Sequence, residues 1–303
     1  MNTPSTKILV ILGATASGKT RLGVQLARHL DGEILSADSR QVYRGLDIGT
    51  GKDLHEYENI PYHMIDIMEP GEEFNLFAFQ QRVHALLPQI RQRHHLPILV
   101  GGTGLYLDAI INRYRLVPVP PNHTLRDELK TLSDQELAAR LLRLKPEQHN
   151  VTDLETRNRM IRAIEIAGSN QPPVDHPPLS CLILGMRRER SALRQRIRTR
   201  LAERLQKGML AEVQQLLDAG IPPATLLDLG LEYRFLTRHL LGEMDHETMF
   251  QKLHQAICQF AKRQETWFRR MERHGTRIHW LNADQDPFQA ALAILARPWP
   301  TPA

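Results

Sequence analysis

The sequence predicts an α/β fold, a P-loop NTPase-like parallel sheet flanked by helices with an inserted all-helical lobe, and three observations carry that prediction. Short β-branched runs alternate with helical patterns along the first hundred residues. One of those runs passes into a glycine turn, "LVILGATASGKTRL" at residues 9–22. A helical stretch from about 115 to 176 is bracketed by the proline clusters "VPVPPN" and "NQPPVDHPP". Nearly continuous apolar strands separated by helices imply a parallel sheet covered on both faces, with ligands at the carboxyl ends of the strands.

In chain order, "KILVILGA", "GEILSADS", "YHMIDIME" and "LPILVGGT" read as strands, with helices at about 18–30, 76–93 and 104–112 between and after them. These are the short apolar runs and intervening helical periods of βαβ units. Two further strands, "SCLILGMR" from 180 and "RIHWLNA" from 277, come much later. Proline on both sides of the 115–176 stretch fits a lobe inserted into the sheet domain. The expected organisation is therefore a core in two parts, 1–114 and 177–303, around a lobe of 115–176.

A chain of 303 residues with 42% hydrophobic residues can bury one substantial core with a smaller lobe attached. No run approaches the roughly 18 apolar residues of a membrane span, and "MNTPSTKILV" lacks a charged-then-apolar leader, so a cytoplasmic enzyme is expected. Cys181 and Cys258 have no Cys partner at metal-site spacing and read as small buried apolar residues. The adjacent His94 and His95 point to different sides of a helix and suggest no metal site. With no apolar repeat or coiled-coil seam asking for a partner, a monomer is expected.

The glycine turn carries the first chemistry. Gly13, Gly18, Lys19 and Thr20 satisfy G-x-x-x-x-G-K-[ST]. In that pattern backbone N–H groups surround phosphate oxygens, lysine neutralises them and the hydroxyl reaches a magnesium ion. The plainer alternative is a glycine turn at a helix N-terminus. ATP is the first ligand to consider, yet such ATPases place an acidic residue at the end of an apolar strand, and "LPILVGGTG" ends in Gly101, Gly102 and Thr103. Asp38 instead ends the strand read as neighbouring, in "LSADSRQVYRG". A base beside a bound phosphoester suggests transfer to a nucleophile; a turn-capping aspartate is the alternative.

Positive charge collects in the second half. "RRERSALRQRIRTRLAERLQK", residues 187–207, carries nine Lys or Arg against two Glu, and "FAKRQETWFRRMER" mixes Lys262, Arg263, Arg269, Arg270 and Arg273 with Phe260, Trp267 and Phe268. Basic faces with interleaved aromatics suit phosphate backbones and stacked bases. They equally suit solvated helices whose apolar stripe, here Ile257, Phe260, Trp267 and Met271, is buried.

Together these segments resemble the tRNA dimethylallyltransferases, also called tRNA isopentenyltransferases. The family's phosphate loop reads GPTASGKT, and this chain has "GATASGKT"; "SADSRQVYRGLDIGTGK", "YHMIDIMEPGEEFNLFAF", "ILVGGTGLYLDAI", "RNRMIRAIEI", "RQRIRTRLAERLQKGMLAEVQQLL" and "AKRQETWFRR" are similar to its later blocks, in order. The resemblance covers about residues 7–283. It implies transfer of the dimethylallyl group from dimethylallyl diphosphate to N6 of adenine 37, beside the anticodon of tRNA. The loop then holds the diphosphate and no ATP is consumed.

The same resemblance implies roles for individual residues. Lys19, Thr20 and the loop Gly13, Ala14, Thr15, Ala16, Ser17 and Gly18 would grip the diphosphate, with Mg2+ on Thr20 bridging its oxygens. Thr103 and Arg200 would stabilise the leaving charge, and Asp38 would accept the N6 proton. Asp38, Ser39, Arg40 and Gln41 would meet the target adenine or its neighbours. Asn158, Arg159, Met160, Ile161 and Arg162 would touch tRNA, with Lys262, Arg263 and Gln264 in a basic wall, while the lobe clamps the anticodon stem. Ala14 replaces the family's usual proline. "LGLEYRFL" stands where many members carry a "VGYR"-like tRNA contact, which leaves Gly230, Glu232, Tyr233 and Arg234 open. An adenylate isopentenyltransferase and a P-loop small-molecule kinase are the competing readings.

Overall fold

The first apolar run becomes β1 (Thr6–Gly13), and its glycine turn leads into α1 (Lys19–Leu30). In the computed structural model, which describes residues 6–145, 154 and 156–301, there follow β2 (Gly32–Ala37), β3 (Tyr62–His63), α2 (Leu76–Gln92), β4 (Leu96–Gly101) and α3 (Gly104–Ile111). Next come α4 (His123–Lys130), α5 (Asp134–Leu144) and α6 (Arg157–Ala167). The chain then runs through β5 (Leu179–Arg187), α7 (Arg190–Gln206), α8 (Met209–Asp218), α9 (Pro223–Asp228), α10 (Leu231–Leu240), α11 (His246–Arg273), β6 (His279–Asn282) and α12 (Pro287–Leu295).

The six strands form one sheet in the order β3-β2-β4-β1-β5-β6, and every pairing is parallel. Side chains of a strand alternate between faces. On β1, Ile8, Val10 and Leu12 enter one core with Phe79 of α2, Ile110 of α3 and Phe268 of α11. Leu9 and Ile11 enter another with Leu22 and Leu26 of α1 and Ala291 of α12. Both faces being covered is why the strands read as unbroken apolar runs. A third core joins Val42, Tyr43 and Leu46 to helices α7–α11.

One strand expectation needs correction. "YHMIDIME" joins the sheet only through Tyr62 and His63, with Met68 making an isolated bridge to Tyr43, because Met64 and Asp66 take φ of 68° and 54°, which an extended strand cannot contain. The strand that ends just before Asp38 does neighbour the "LPILVGGT" strand, β4, which in turn lies between it and β1.

The chain divides into two compact units, residues 1–113 with 177–303, and Tyr114–His176. In the second unit α4–α6 pack Leu129, Leu137, Leu141, Met160, Ile161 and Ile164 together, and a Ser133–Glu136 capping box starts α5. Residues 146–153 and 155 of the expected helical stretch, and the start "MNTPS" in which no leader is read, lie outside the described residues. Among the described residues no helix is long and apolar enough to cross a membrane, and no group of three or more His, Cys, Asp or Glu could hold a metal ion. Cys181 and Cys258 are free thiols, part-exposed where the sequence reading has them buried.

Candidate active site

The glycine turn ends in Gly18, which takes φ 95° and caps α1 with no side-chain hydrogen bond. The first N–H groups of α1 have no acceptor within the helix, so they and the helix dipole are left for an anion. Two loop N–H groups are used inside the protein instead: Thr15 donates to Gln264 Oε1 at 2.8 Å, and Ser17 donates to the Ala14 carbonyl at 3.2 Å. Lys19 folds back over the loop, its Nζ 3.5 Å from the Ala14 carbonyl.

Because β4 separates β1 from β2, its Gly101–Thr103 turn bridges the strand ends. Gly101 is required by close approach, since a Cβ there would stand 2.2 Å from the Ala37 oxygen. The Thr103 N–H donates to that Ala37 carbonyl at 3.2 Å, and its Oγ1 accepts from the Ser39 N–H at 3.1 Å. On the other side Gln264 Nε2 donates to the Gly102 carbonyl at 2.8 Å. The amide of Gln264 thus ties the phosphate loop to the β4 turn, and Thr103 ties that turn to the segment holding Asp38.

These ties close a cavity of about 300 Å³ whose walls include Thr15, Lys19, Thr20, Asp38, Thr103 and Arg200, with Ser39, Arg40 and Gln41 alongside. Asp38 caps a turn, its Oδ1 accepting from the Arg40 N–H at 2.9 Å, and it also lines the cavity. Burial holds the Lys19 ammonium down at about 8, Asp38 draws it up, and Arg200 and Arg204 push it down. Burial also pushes Asp53 up, but Arg200 and Arg204 outweigh it and hold that carboxyl below the ordinary range. Glu232 is pushed up by burial, with Asp38 adding to the effect. Chemically this is a pocket able to neutralise a phosphoanhydride at one end and to take a proton beside it.

The IPP transferase family model matches residues 41–271, more than half of the chain. The chain belongs to the IPP transferase family. An isopentenyl transferase model also matches residues 6–59, where the glycine turn lies. The tRNA dimethylallyltransferase 1 of Geotalea uraniireducens is 59% identical over 293 residues, covering 96% of this chain and 97% of the relative. A tRNA dimethylallyltransferase 2 of Syntrophotalea carbinolica is also 59% identical over 293 residues, with 95% and 98% covered. Among solved structures, the full-length tRNA isopentenylpyrophosphate transferase of Bacillus halodurans is similar at 33% identity and TM-score 0.71, with 95% of this chain and 94% of that one covered. A eukaryotic dimethylallyltransferase acting on tRNA gives 25% identity and TM-score 0.80, with 98% and 81% covered.

In this member of the IPP transferase family several residues expected at RNA are turned inward. Gln264 is buried in the bridge just described and belongs to no basic wall, whereas Lys262 and Arg263 are exposed. Met160 and Ile161 fill the core of the 114–176 unit because α6 needs an apolar face there; Asn158 and Arg159 are exposed. Arg162 pairs with Glu165 at 2.9 Å and donates to the Val119 carbonyl at 2.7 Å, which holds the unit's own loop. Gln41 accepts from the Ser36 hydroxyl at 2.9 Å and donates to the Gly51 carbonyl at 3.1 Å, so it braces the cavity wall as well as lining it. Phe260, read as part of a buried stripe, is 37% exposed at the cavity, with the Arg263 guanidinium 5.8 Å from its ring.

The site also uses residues that the sequence did not single out. Glu212 accepts from the N–H groups of Asp47, Ile48 and Gly49 at 2.9, 2.6 and 3.0 Å and from the Tyr233 hydroxyl at 2.6 Å. Lys52 is buried beneath the same loop, donating to the Tyr43 carbonyl at 2.8 Å and to Asp47 at 2.5 Å, with Asp66 as a further partner. The segment left open in sequence, Gly230, Glu232, Tyr233 and Arg234, also lies in the cavity wall. Only the "LDIGTGK" block, whose glycines mark a turn, hinted in sequence that something must brace it.

Proposed function

We propose that this chain transfers the dimethylallyl group of dimethylallyl diphosphate to N6 of adenine 37, beside the anticodon of tRNA, and releases diphosphate. The observation that carries the reading is the single cavity in which Lys19 and Thr20 of the glycine turn stand with the Asp38 carboxylate. An exocyclic adenine amine is a poor nucleophile, and an allylic carbon becomes strongly electrophilic as diphosphate departs. The reaction therefore asks for cations at the leaving oxygens and an acceptor for one N6 proton. Lys19, Arg200 and the N-terminus of α1 supply the first, and Asp38 the second. The C1–oxygen bond of the donor breaks, the N6–C1 bond forms, and the N6 proton passes to Asp38.

Mg2+ fits this donor set. The Thr20 hydroxyl offers one hard oxygen, and in the absence of a carboxylate and histidine cluster among the described residues, diphosphate oxygens and water would complete the shell. When bound, the ion would neutralise leaving-group charge. For RNA, the adenine must leave its stack to enter the cavity, at little cost in a loop. Phe260 with Arg263 beside it is suited to stacking. Exposed Lys262, Arg263, Asn158 and Arg159 suit phosphates, and the 114–176 unit suits recognition of the stem by shape. In this reading the protein works in the cytoplasm as a monomer.

The test incubates the purified protein with Mg2+, labelled dimethylallyl diphosphate and unmodified tRNA, with AMP and ATP as acceptors in parallel. Label recovered as N6-dimethylallyladenosine from digested tRNA is the expected result. Label in AMP or ATP would move the chain to the adenylate-prenylating class, and ATP consumption without prenyl transfer would make it a kinase.

A further inference from the structure

Resting on the reading that the glycine turn holds diphosphate, we propose that Arg204 is a third cation of the diphosphate site, set beside Lys19 and Arg200. A second cavity, of about 310 Å³, adjoins the phosphate loop and is lined by Gly18, Lys19, Thr20 and residues of α7. Four residues belong to the walls of both cavities: Lys19, Thr20, Arg200 and Arg204. Three of them are the groups already assigned to the diphosphate. The fourth lies one helical turn beyond Arg200, so both guanidinium groups project from the same face of α7.

Arg204 differs from the exposed arginines at 190, 194, 196 and 198 of that helix. Its side chain is only 14% exposed, with Nη2 3.5 Å from Asp53 Oδ2. Its place is made by Gly51, where φ is +63° and a Cβ would stand 1.5 Å from Arg204 Nη2. Asp53 also pairs with Arg200, so one carboxylate answers two guanidinium groups. Enclosing three like charges together is unfavourable unless anions balance them, and Asp53, beside both arginines, and Asp38, facing Lys19, do so in part. A diphosphate at the shared wall, accepting from the planar forks of both arginines, would complete that balance.

The experiment titrates the full chain with inorganic diphosphate and Mg2+ by calorimetry. Arg204→Gln should raise the Kd roughly tenfold, the scale of one lost charge-assisted hydrogen bond, with Arg204→Lys in between. In transfer assays the KM for dimethylallyl diphosphate should rise while the KM for tRNA holds. Gly51→Ala, whose methyl would displace the guanidinium, should reproduce the loss of affinity and serves if Arg204→Gln does not fold. A folded Arg204→Gln or Gly51→Ala protein that binds diphosphate like the wild type would overturn the proposal, as would a change in tRNA KM alone. Wild-type protein that fails to bind diphosphate would instead remove the phosphate-loop reading on which it rests.

Discussion

Asp38 and Lys19 stand in one cavity yet have opposite tasks, and each can be tested alone. Asp38→Ala removes the carboxylate proposed as proton acceptor and leaves the exposed Lys262, Arg263, Asn158 and Arg159 in place. Transfer should slow by roughly a hundredfold or more, the range for a positioned base, with tRNA affinity nearly unchanged in a filter-binding assay. Lys19 makes a prediction in pH. Its proton leaves near 8 in the folded protein against an ordinary 10.5. Diphosphate affinity should fall as pH rises through about 8, and Lys19→Met should flatten that decline in calorimetric titrations. Stability moves the other way: from about 8 to 10.5 the unfolded chain binds the extra proton, so the fold gains as pH rises. The glycine turn and the aspartate were both legible in sequence as residue types at fixed spacing. Arg204 was not, because one arginine among eight in a basic run has no local mark; only burial separates it.

At the scale of the element, α11 acts as a strut. Met249, Leu253, Ile257, Ala261, Gln264, Phe268 and Met271 form its buried face at helical spacing, and Trp267 donates to Asp108 at 3.1 Å. Within that face Gln264 joins the phosphate loop to the β4 turn. Gln264→Ala would leave the Thr15 N–H and the Gly102 carbonyl without partners, at a cost of about 1–3 kcal/mol. The KM for dimethylallyl diphosphate should rise several-fold with little change in the KM for tRNA; a change confined to tRNA would return Gln264 to the RNA surface. A sequence pattern shows that a helix has a buried face, but a polar residue on that face cannot be told from one on the rim without knowing what lies opposite. Strand β3 teaches the same lesson, since the apolar run suggested eight residues and positive φ at Met64 and Asp66 allowed two.

The whole molecule carries two acid-sensitive joints, one in each unit. The Arg93 guanidinium, with His63 and His95 assisting against burial, holds Glu33 at about 2. Burial pushes Glu165 up, but Arg126, the Asn122 N–H and Arg162 outweigh it and bring it to about 2. Both carboxyls would titrate near 4.5 in the unfolded chain. Their contribution is therefore complete above that value and is lost as pH falls toward 2. With Arg93 half exposed beside Glu33, and Arg126 and Arg162 partly exposed beside Glu165, each is worth on the order of 2 kcal/mol. Urea unfolding should weaken steadily from pH 5 to pH 2, and Glu33→Gln should remove its share of that slope; a flat profile would mean neither carboxylate is held.

What the sequence by itself determined is the parallel α/β class, the glycine turn between β1 and α1, the place of Asp38 at a strand end, and the family through blocks in fixed order. Each of these rests on local chemistry: glycine and lysine at set spacing, apolar runs of strand length, a carboxylate at a strand end. Tertiary structure alone decided that β4 separates β1 from β2, that Gln264 and Gln41 brace the cavity, that Met160 and Ile161 are core, and that Glu212 and Lys52 hold the 47–52 loop. Some depend on contacts between residues far apart in sequence, as Gln264 with Gly102 and Glu212 with Ile48; others on how a turn folds around Gln41 and Lys52, or on which face of a helix meets its neighbour. Burial and charge pairing arise only when the chain has closed on itself, so no stretch of sequence read alone contains them.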